Sequence, residues 1–398
     1  MQLQRIIRIF LILLCALILQ EEYSYSQERL KITHGPYLVE PAENAITVAW
    51  FTNKACLSWV EYSGDKSYGT FPTWGGYPKI AQSSNNGLID ANTTRHAIRI
   101  TNLEKGTKYR YRIASKEILK FNPYEVLYGD SVVGDVLGFE TLDPEKENFS
   151  FGVVTDVHGR AAVLDTLLQI AELDFMDMMF YTGDILSWIG DEKRIFNGFL
   201  DVSVKHFAKE KPFVYIRGNH ETRGPSARNL MSYFPRSNGK YYHSFTQGDV
   251  HFIMLDSGED KADSHPVYAG LVEFDKLRDE QSEWLKEEVQ SESFKKALYK
   301  IVMVHIPLFS GSNGHGASEI TKKWGPILNE ADIDLMISGH RHRFSRIEPV
   351  EGKNRFPVVV LGQDMFLRTD VSNRELSIII TKMDSSVVDK FVVPAINR

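Results

Sequence analysis

The segment FGVVTDVHG, residues 151–159, determines the fold class expected for the C-terminal part of the chain. An apolar run that ends in Asp156, His158 and Gly159 has the form of a buried strand followed by a tight turn. Further apolar runs alternate with helical periodicity, which is typical of an α/β layered domain. We expect strands over 151–155, 178–182, 213–216, 251–255, 301–304 and 335–338, and helices over 161–173, 193–208, 280–289 and 319–329.

Potential metal ligands follow five of these six expected strands. They are Asp156 and His158, Asp184, Asn219, His305, and His340 and His342. Open α/β sheets bind ligands beyond the carboxyl ends of their strands, so side chains distant in sequence can meet there. Imidazole and carboxylate groups suit zinc, iron and manganese, whereas calcium prefers shells made only of oxygen. Each fragment alone is a weak signal, but the ordered set predicts a metal site.

The region before residue 143 has a different pattern of short alternating strands. Residues 45–51, 57–62, 96–100 and 109–115 are expected strands, separated by segments rich in turn residues, which favours a β-sandwich over 27–142. Residues 143–149 are polar and contain Pro144, so we predict a linker there and a second domain over 150–398.

The N-terminus predicts export. Arg5 and Arg8 precede an apolar run over 9–19, and polar residues follow up to Ser26, as in a secretory signal peptide over 1–26. The run is shorter than the roughly 20 residues of a membrane span. We therefore expect a secreted or periplasmic protein without a membrane span after cleavage, in which Cys56 has no partner for an internal disulfide.

The order and spacing of the ligand fragments resemble the calcineurin-like metallophosphoesterases. The preceding sandwich, with Tyr109 and Tyr111 after a Gly106 turn as in fibronectin type III domains, narrows the resemblance to purple acid phosphatase-like proteins. The resemblance implies a four-layer α/β sandwich preceded by an all-β fibronectin type III-like sandwich. It also implies two metal ions, of iron, zinc or manganese. In that scheme Asp156, His158 and His342 bind one ion, Asn219, His305 and His340 bind the other, and Asp184 bridges them.

The same resemblance implies hydrolysis of phosphomonoesters by in-line attack of metal-bound hydroxide. Two divalent ions, less two carboxylates and one hydroxide, leave a net charge of about +1 that attracts an anionic ester. His220 is the expected proton donor or hydrogen-bond donor to the leaving oxygen. His315, on the loop after His305, is the expected second substrate contact.

Two residues depart from the purple phosphatase pattern. His158 stands where those enzymes usually have glycine, and Ser187 stands where they have the tyrosine that gives their colour. His158 instead resembles the wider metallophosphoesterases, including phosphodiesterases. A phosphodiesterase or nucleotide hydrolase with the same ligands is therefore the alternative function.

Charge and composition exclude some function classes. The net charge of −6 without a long basic run argues against nucleic-acid binding, which leaves a small phosphate ester as the expected substrate. A non-catalytic cell-surface binding protein is a third hypothesis. A degenerate enzyme of that kind usually lacks one of the metal-ligating residues or the general acid, and none of these residues is missing here. The motif-flanking arginines are more often solvated or paired on the surface, so they are left outside the predicted site: Arg217, Arg223, Arg341 and Arg343.

Overall fold

The computed structural model describes residues 28–64, 79–311 and 314–395, so the predicted signal peptide lies outside the described residues. A large first sheet runs through both predicted domains. Its main strands, in spatial order, are Val387–Pro394, Glu375–Lys382, Met365–Val371, Phe149–Val154, Met178–Thr182, Phe213–Ile216, Ile32–Val39, Ile46–Gly64, Lys108–Asn122 and Glu125–Val133. Lys79–Ala81 and Thr93–Ile100 pair with Ile46–Gly64, and Leu137–Glu140 pairs with Lys108–Asn122.

A second sheet lies in the C-terminal region. Its strands, in spatial order, are His243–Gln247, Val250–Leu255, Tyr299–Val304, Leu335–Ser338, Val358–Val360 and Ser345–Ile347. A separate hairpin joins Ser84–Asn85 to Leu88–Ile89. The central strands of both sheets are parallel and almost wholly buried, as expected for strands covered on both faces.

Helices cover the outer face of each sheet. The longer ones are Ala161–Ile170, Phe274–Glu288 and His315–Glu330, with a short helix at Glu292–Lys296. Residues 192–208 form one continuous helix in which α-helical turns, Glu192–Ile195 and Asp201–Ser203, alternate with π-helical turns, Phe196–Leu200 and Val204–Ala208. Single 3₁₀ turns occur at Leu173–Phe175, His220–Thr222, Ala227–Ser232 and Pro266–Tyr268. Within the described residues, no helix is both long and apolar enough to cross a membrane.

Three buried apolar clusters show how these layers pack. Phe151, Phe180 and Ile216 of the first sheet contact Phe252 and Met303 of the second, which makes the core between the sheets. The first sheet also packs against the helices at 161–170 and 192–208, and the second sheet packs against those at 274–288 and 315–330. The result is helix, sheet, sheet and helix, which confirms the predicted four-layer α/β architecture.

The N-terminal strands have their own apolar cluster, around Trp50, Tyr62, Ile98 and Tyr111. The expected strands at 45–51 and 57–62 are one strand, Ile46–Gly64, which pairs with Thr93–Ile100 through its first part and with Lys108–Asn122 through its second. The intervening residues continue the strand because both halves have partners. The fibronectin type III-like domain and its boundaries stay predictions.

Two helices begin earlier than the sequence predicted. The helix at 274–288 starts before residue 280 because Asp263 accepts hydrogen bonds from the backbone N–H groups of Phe274 and Asp275, a cap distant in sequence. The helix at 315–330 starts at His315 rather than 319. Gly316 permits this start, since a Cβ atom there would lie 2.4 Å from the carbonyl oxygen of Glu259.

Candidate metal centre

The predicted ligands converge at the carboxyl ends of five parallel strands. Asp156 and Asp184 follow the strands Phe149–Val154 and Met178–Thr182 of the first sheet, and Asn219 follows Phe213–Ile216. His305, and His340 with His342, follow the second-sheet strands Tyr299–Val304 and Leu335–Ser338. Two groups of ligand atoms result, each lying within 4.8 Å of one another: Asp156, His158, Asp184 and His342, and Asp184, His305 and His340. Asp184 belongs to both.

Asn219 joins the second group. Its Oδ1 lies 3.1 Å from His340 Nδ1, and the residue is only 1% exposed. The distances therefore place Asp156, His158 and His342 in one group and Asn219, His305 and His340 in the other, with Asp184 in both. The binding of metal by these seven residues stays a prediction.

The spacing of the ligand atoms fits ions between them. His158 Nε2 lies 3.0 Å from His342 Nε2, and His342 Nε2 lies 3.2 Å from Asp156 Oδ1. In the other group, His305 Nε2 lies 3.0 Å from Asp184 Oδ2. Ligand atoms about 2.0–2.1 Å from a tetrahedral ion are separated by about 3.3 Å, so these separations are close to those of a shared ion.

Hydrogen bonds aim the ligand atoms into the centre. The Nδ1–H of His305 donates to the carbonyl oxygen of Thr182, which leaves Nε2 facing Asp184. The backbone N–H of His340 donates to Asp156 Oδ2, so Asp156 Oδ1 is the oxygen that faces the site. Both His305 Nε2 and Asp156 Oδ1 are buried and lack hydrogen-bond geometry with any described group. Buried polar atoms without partners are rare in folded proteins, and a bound cation would satisfy both.

The turns that carry the ligands have unusual backbone geometry. The residues Asp156, His158, Asp184, His340 and His342 all have positive φ angles, between 51° and 71°. Such left-handed conformations are uncommon outside glycine and concentrate at functional sites. Glycines bring the turns close together: a Cβ on Gly183 would lie 2.5 Å from His305 Nδ1, and a Cβ on Gly339 would lie 2.1 Å from Thr155 Oγ1. The backbone is therefore strained at these predicted ligands, as is typical of functional sites.

Burial and charge set the protonation of the ligands. Burial acts to lower the pKa of His305, but the adjacent carboxylate of Asp184 has the larger effect. The pKa of His305 is therefore raised above 6.5. Burial would raise the pKa of Asp184, but His305 and His220 lower it overall. Burial, together with the charge of His305, lowers the pKa of His340 to about 4. The Asp184 carboxylate is therefore charged and the His340 ring neutral near pH 7, the forms that bind metals.

Glu221 is a part of the site that sequence analysis did not identify. It is fully buried, and its carboxylate accepts hydrogen bonds from the backbone N–H groups of Asp184, Leu186 and Gly218, each at 2.9 Å. It therefore ties the turn that carries Asp184 to the turn that carries Asn219. Burial, with a contribution from Asp184, raises the pKa of Glu221. The sequence places Glu221 directly after His220, which was the only indication of its role. Its burial could not be predicted from that position.

His220 has partners for both ring nitrogens. Its Nδ1–H donates to the carbonyl oxygen of Ser187, and Arg223 Nη1 lies 3.1 Å from its Nε2. Because arginine can only donate, Nε2 accepts this bond. Nε2 also lies 3.8 Å from Asp184 Oδ2.

Arg223 was left outside the predicted site, but it lies at the edge of the centre. Buried Glu259 holds its guanidinium through two hydrogen bonds of 2.8 Å, from Nε and Nη2, so the side chain is fixed. Arg217, by contrast, is turned toward buried Asp256 and the ring of Tyr241. Arg341 and Arg343 are exposed. Only tertiary contacts distinguish Arg223 from the other three.

His315 contacts another helix. Its Nε2 lies 2.9 Å from both carboxylate oxygens of Asp275, which also pairs with buried Arg278. No hydrogen bond or ring contact joins His315 to the ligands among the residues described. Its role as a substrate contact stays a prediction.

Ser187 and His158, the two departures from the purple phosphatase pattern, are in contact. The Ser187 hydroxyl donates to the backbone carbonyl oxygen of His158 at 2.9 Å. Burial lowers the pKa of His158, so its ring is neutral near pH 7 and available as a ligand. The hydroxyl therefore stabilises the turn on which His158 stands.

Comparisons with known proteins agree with this geometry. The family model described as calcineurin-like phosphoesterase matches residues 149–344. Purple acid phosphatase 21 of Arabidopsis thaliana is 26% identical over 276 residues, which cover 66% of this chain and 55% of that protein. Purple acid phosphatase 18 of the same plant is 23% identical over 354 residues, covering 84% of this chain and 71% of that protein. The chain thus spans about half the length of the first relative.

A solved structure shows the same fold. The purple acid phosphatase PPD1 from yellow lupin (Lupinus luteus) seeds superposes with a TM-score of 0.68 at 14% identity, over 90% of this chain and 74% of that one. The matched region 149–344 contains all seven predicted metal ligands and both histidines proposed to act in catalysis. Residues 149–344 form a calcineurin-like phosphoesterase domain, and purple acid phosphatases are among the relatives of this chain.

Proposed function

We propose that this chain hydrolyses phosphomonoesters at a two-metal site formed by Asp156, His158, Asp184, Asn219, His305, His340 and His342. The observation that carries the proposal is the pair of ligand groups that share Asp184, since a carboxylate common to two shells is what a dinuclear centre requires. The donor set of imidazoles, carboxylates and one amide supports iron, zinc or manganese. Two such ions, when bound, supply Lewis acidity and acidify a water molecule near neutral pH.

The chain's own residues orient and neutralise the ester. Arg223 is held by buried Glu259 with Nη1 next to His220, so it offers a fixed positive charge to a phosphate oxygen at the edge of the centre. His220, oriented by its bond to the Ser187 carbonyl, has Nε2 directed to the same place. When an ester binds, Arg223 Nη1 bonds the phosphate in place of His220, so that Nε2 can carry a proton and donate it to the leaving oxygen. A dianionic monoester benefits from these added donors more than a monoanionic diester does.

Export is part of the proposal. It rests on the sequence of residues 1–26, with its basic start and apolar run, and on nothing in the described region. We also propose, from the sequence alone, that the N-terminal strands have an accessory role and that the domain boundaries lie at 142 and 150.

Rates on a matched pair of esters test the ester class. We expect the metal-loaded protein to hydrolyse phenyl phosphate with a higher kcat/KM than diphenyl phosphate. A clear preference for the diester would replace the proposal by the phosphodiesterase or nucleotide hydrolase alternative, which His158 favours.

An Asn219→Ala variant is the control for the site in the same assay. Its loss of one ligand is expected to reduce kcat/KM by more than about 100-fold, because changes even outside the ligand shell cost about 10- to 100-fold. Circular dichroism would check that the variant is folded. Full activity in this variant would refute the site, and no activity in the wild type would favour the binding-protein hypothesis.

A further inference from the structure

A cavity of about 340 Å³ opens beside the proposed metal centre. His158 and Ser187 line it on the side of the centre, and Trp188, Asp191, Lys193 and Arg194 line the other part. Its volume is near the lower limit of small-molecule pockets, which run from about 300 to 1,000 Å³. Because His158 belongs both to the ligand group and to the wall, a group attached to the scissile ester can extend into this cavity.

The cavity is positively charged although the chain is negative overall. Lys193 and Arg194 are exposed on the first turn of the helix at 192–208, and within the described residues neither forms an ion pair. The one carboxylate in the wall, Asp191, is engaged at the helix N-terminus, where Oδ1 accepts from the backbone N–H of Arg194. Two cations against one carboxylate contrast with the net charge of −6 for the whole chain.

Trp188 fixes the position of one of these cations. The guanidinium carbon of Arg194 lies 4.0 Å from the centre of the indole ring, a cation–π contact. Gly190 packs against the same indole, since a Cβ there would lie 2.3 Å from Cζ3. Stacking holds the guanidinium in place and leaves its N–H edge free for a carboxylate or phosphate.

The helix wall is held close to His158. A Cβ on Gly198 would lie 3.2 Å from the Cα of Gly159, the residue after His158. Gly198 lies in the π-helical turn Phe196–Leu200, and π turns within α-helices are frequent at functional sites. The helix that carries the cationic side chains is therefore packed on the turn that carries a proposed ligand.

We propose that this cavity, lined by Trp188, Lys193 and Arg194, binds the leaving group and selects phosphate esters whose leaving group carries its own negative charge. The inference rests on the proposed function and names the substrate class of that site. A neutral leaving group gains nothing from the two cations, whereas an anionic one forms charge-assisted hydrogen bonds with them. Such an ester has two anionic ends, one for the metal centre and one for Arg194 and Lys193.

The test compares two esters that differ by one carboxylate on the leaving group. The kcat/KM values of the metal-loaded protein are measured for 4-carboxyphenyl phosphate and for phenyl phosphate, and their ratio is compared among variants. In the Lys193→Gln/Arg194→Gln double variant the ratio is expected to fall about tenfold, which corresponds to about 1.4 kcal/mol. Lys205→Gln is the matched control, because Lys205 lies on the same helix, pairs with Asp165 and is outside the cavity. A Trp188→Leu variant, which frees Arg194, is expected to lower the ratio less.

Binding separates failure of the pocket from failure of the proposed function. Calorimetry gives dissociation constants for 4-carboxybenzyl phosphonate and benzyl phosphonate, which cannot be hydrolysed, and the same dependence on Lys193 and Arg194 is expected. Without hydrolysis of either ester but with this difference in binding, the proposed function fails and the pocket stands. The pocket is overturned if the double variant leaves the ratio of the two kcat/KM values unchanged. It is also overturned if the double variant weakens the binding of both phosphonates equally.

Discussion

The two halves of the ligand cluster differ in their access to solvent. The buried half comprises Asn219, His305 and His340. The exposed half comprises His158 and His342 together with Asp156, which is itself buried. The His305 and Asn219 residues are 0% and 1% exposed, whereas the His342 side chain is 45% exposed. The same imidazole group is thus buried at His305 and exposed to solvent at His342. The buried half is fixed by its surroundings, while His158 of the exposed half lines the cavity that we propose for the leaving group.

The largest expected difference is between removing His305 and removing His342. His305→Ala leaves Asp184 buried without its partner, so we expect kcat/KM to fall by more than about 100-fold without recovery in excess metal. His342→Ala opens a position that water can occupy, so we expect a loss of about 10- to 100-fold, largely recovered in excess metal. Metal titration of activity and elemental analysis measure both, with exposed His265→Ala as the control.

Equal losses with equal recovery would mean that burial does not distinguish the two halves. The metal content of His305→Ala and His342→Ala would then be the same, and the two halves would differ only in the positions of their side chains.

A matched pair of glycines probes the backbone of the two halves. Gly183 has φ +80°, and a Cβ would lie 2.5 Å from His305; Gly159 has φ +73°, and its nearest contact is 4.0 Å away. Alanine at either position incurs the strain of a positive φ, about 1–2 kcal/mol. Gly183→Ala must also displace a ligand, so we expect it to lose metal and to unfold at a lower temperature than Gly159→Ala.

Metal content and the midpoint of thermal unfolding measure this difference. If Gly159→Ala proved as damaging as Gly183→Ala, the turn at His158 would be no more tolerant than the buried one, contrary to the comparison.

The smallest effect concerns pH in the metal-free protein. Because Asp184 raises the pKa of buried His305 above 6.5, the pair stabilises the fold fully below pH 6.5 and less as the pH rises through the raised pKa. The slope is at most about 1.4 kcal/mol per pH unit. Asp156 also raises the pKa of His342, but solvent screens that pair. The free energy of unfolding should therefore fall between pH 6.5 and 9 in the wild type and in His342→Gln, and fall less in His305→Gln.

Denaturant unfolding in a chelator measures this dependence on pH. The same slope in His305→Gln as in the wild type would show that His305 is not protonated beside Asp184, and the electrostatic contrast between the two halves would be lost.

The sequence was sufficient to predict that these side chains meet, because each stands close to a strand end. His305 directly follows an apolar strand, Asp184 follows another after Gly183, and parallel strands bring such ends together whatever the details of packing. It was not sufficient for Glu221, Arg223 or the start of the helix at His315. Those depend on partners far along the chain, such as the backbone N–H of Asp184 for Glu221 and the carboxylate of Glu259 for Arg223. The difference in burial between the two halves is likewise a tertiary property.

The first sheet does not stop at the predicted domain boundary. Val39 of the strand Ile32–Val39 pairs with Phe213 of Phe213–Ile216, and the Tyr37 hydroxyl donates to the carbonyl oxygen of Tyr233. Phe213–Ile216 is the strand that leads to Asn219 and His220. A protein cut after residue 149 would leave this strand at an open sheet edge, where other chains can add to it and aggregate. The N-terminal region thus covers the edge of the strand that leads to a proposed ligand, and the two predicted domains are expected to fold as one unit.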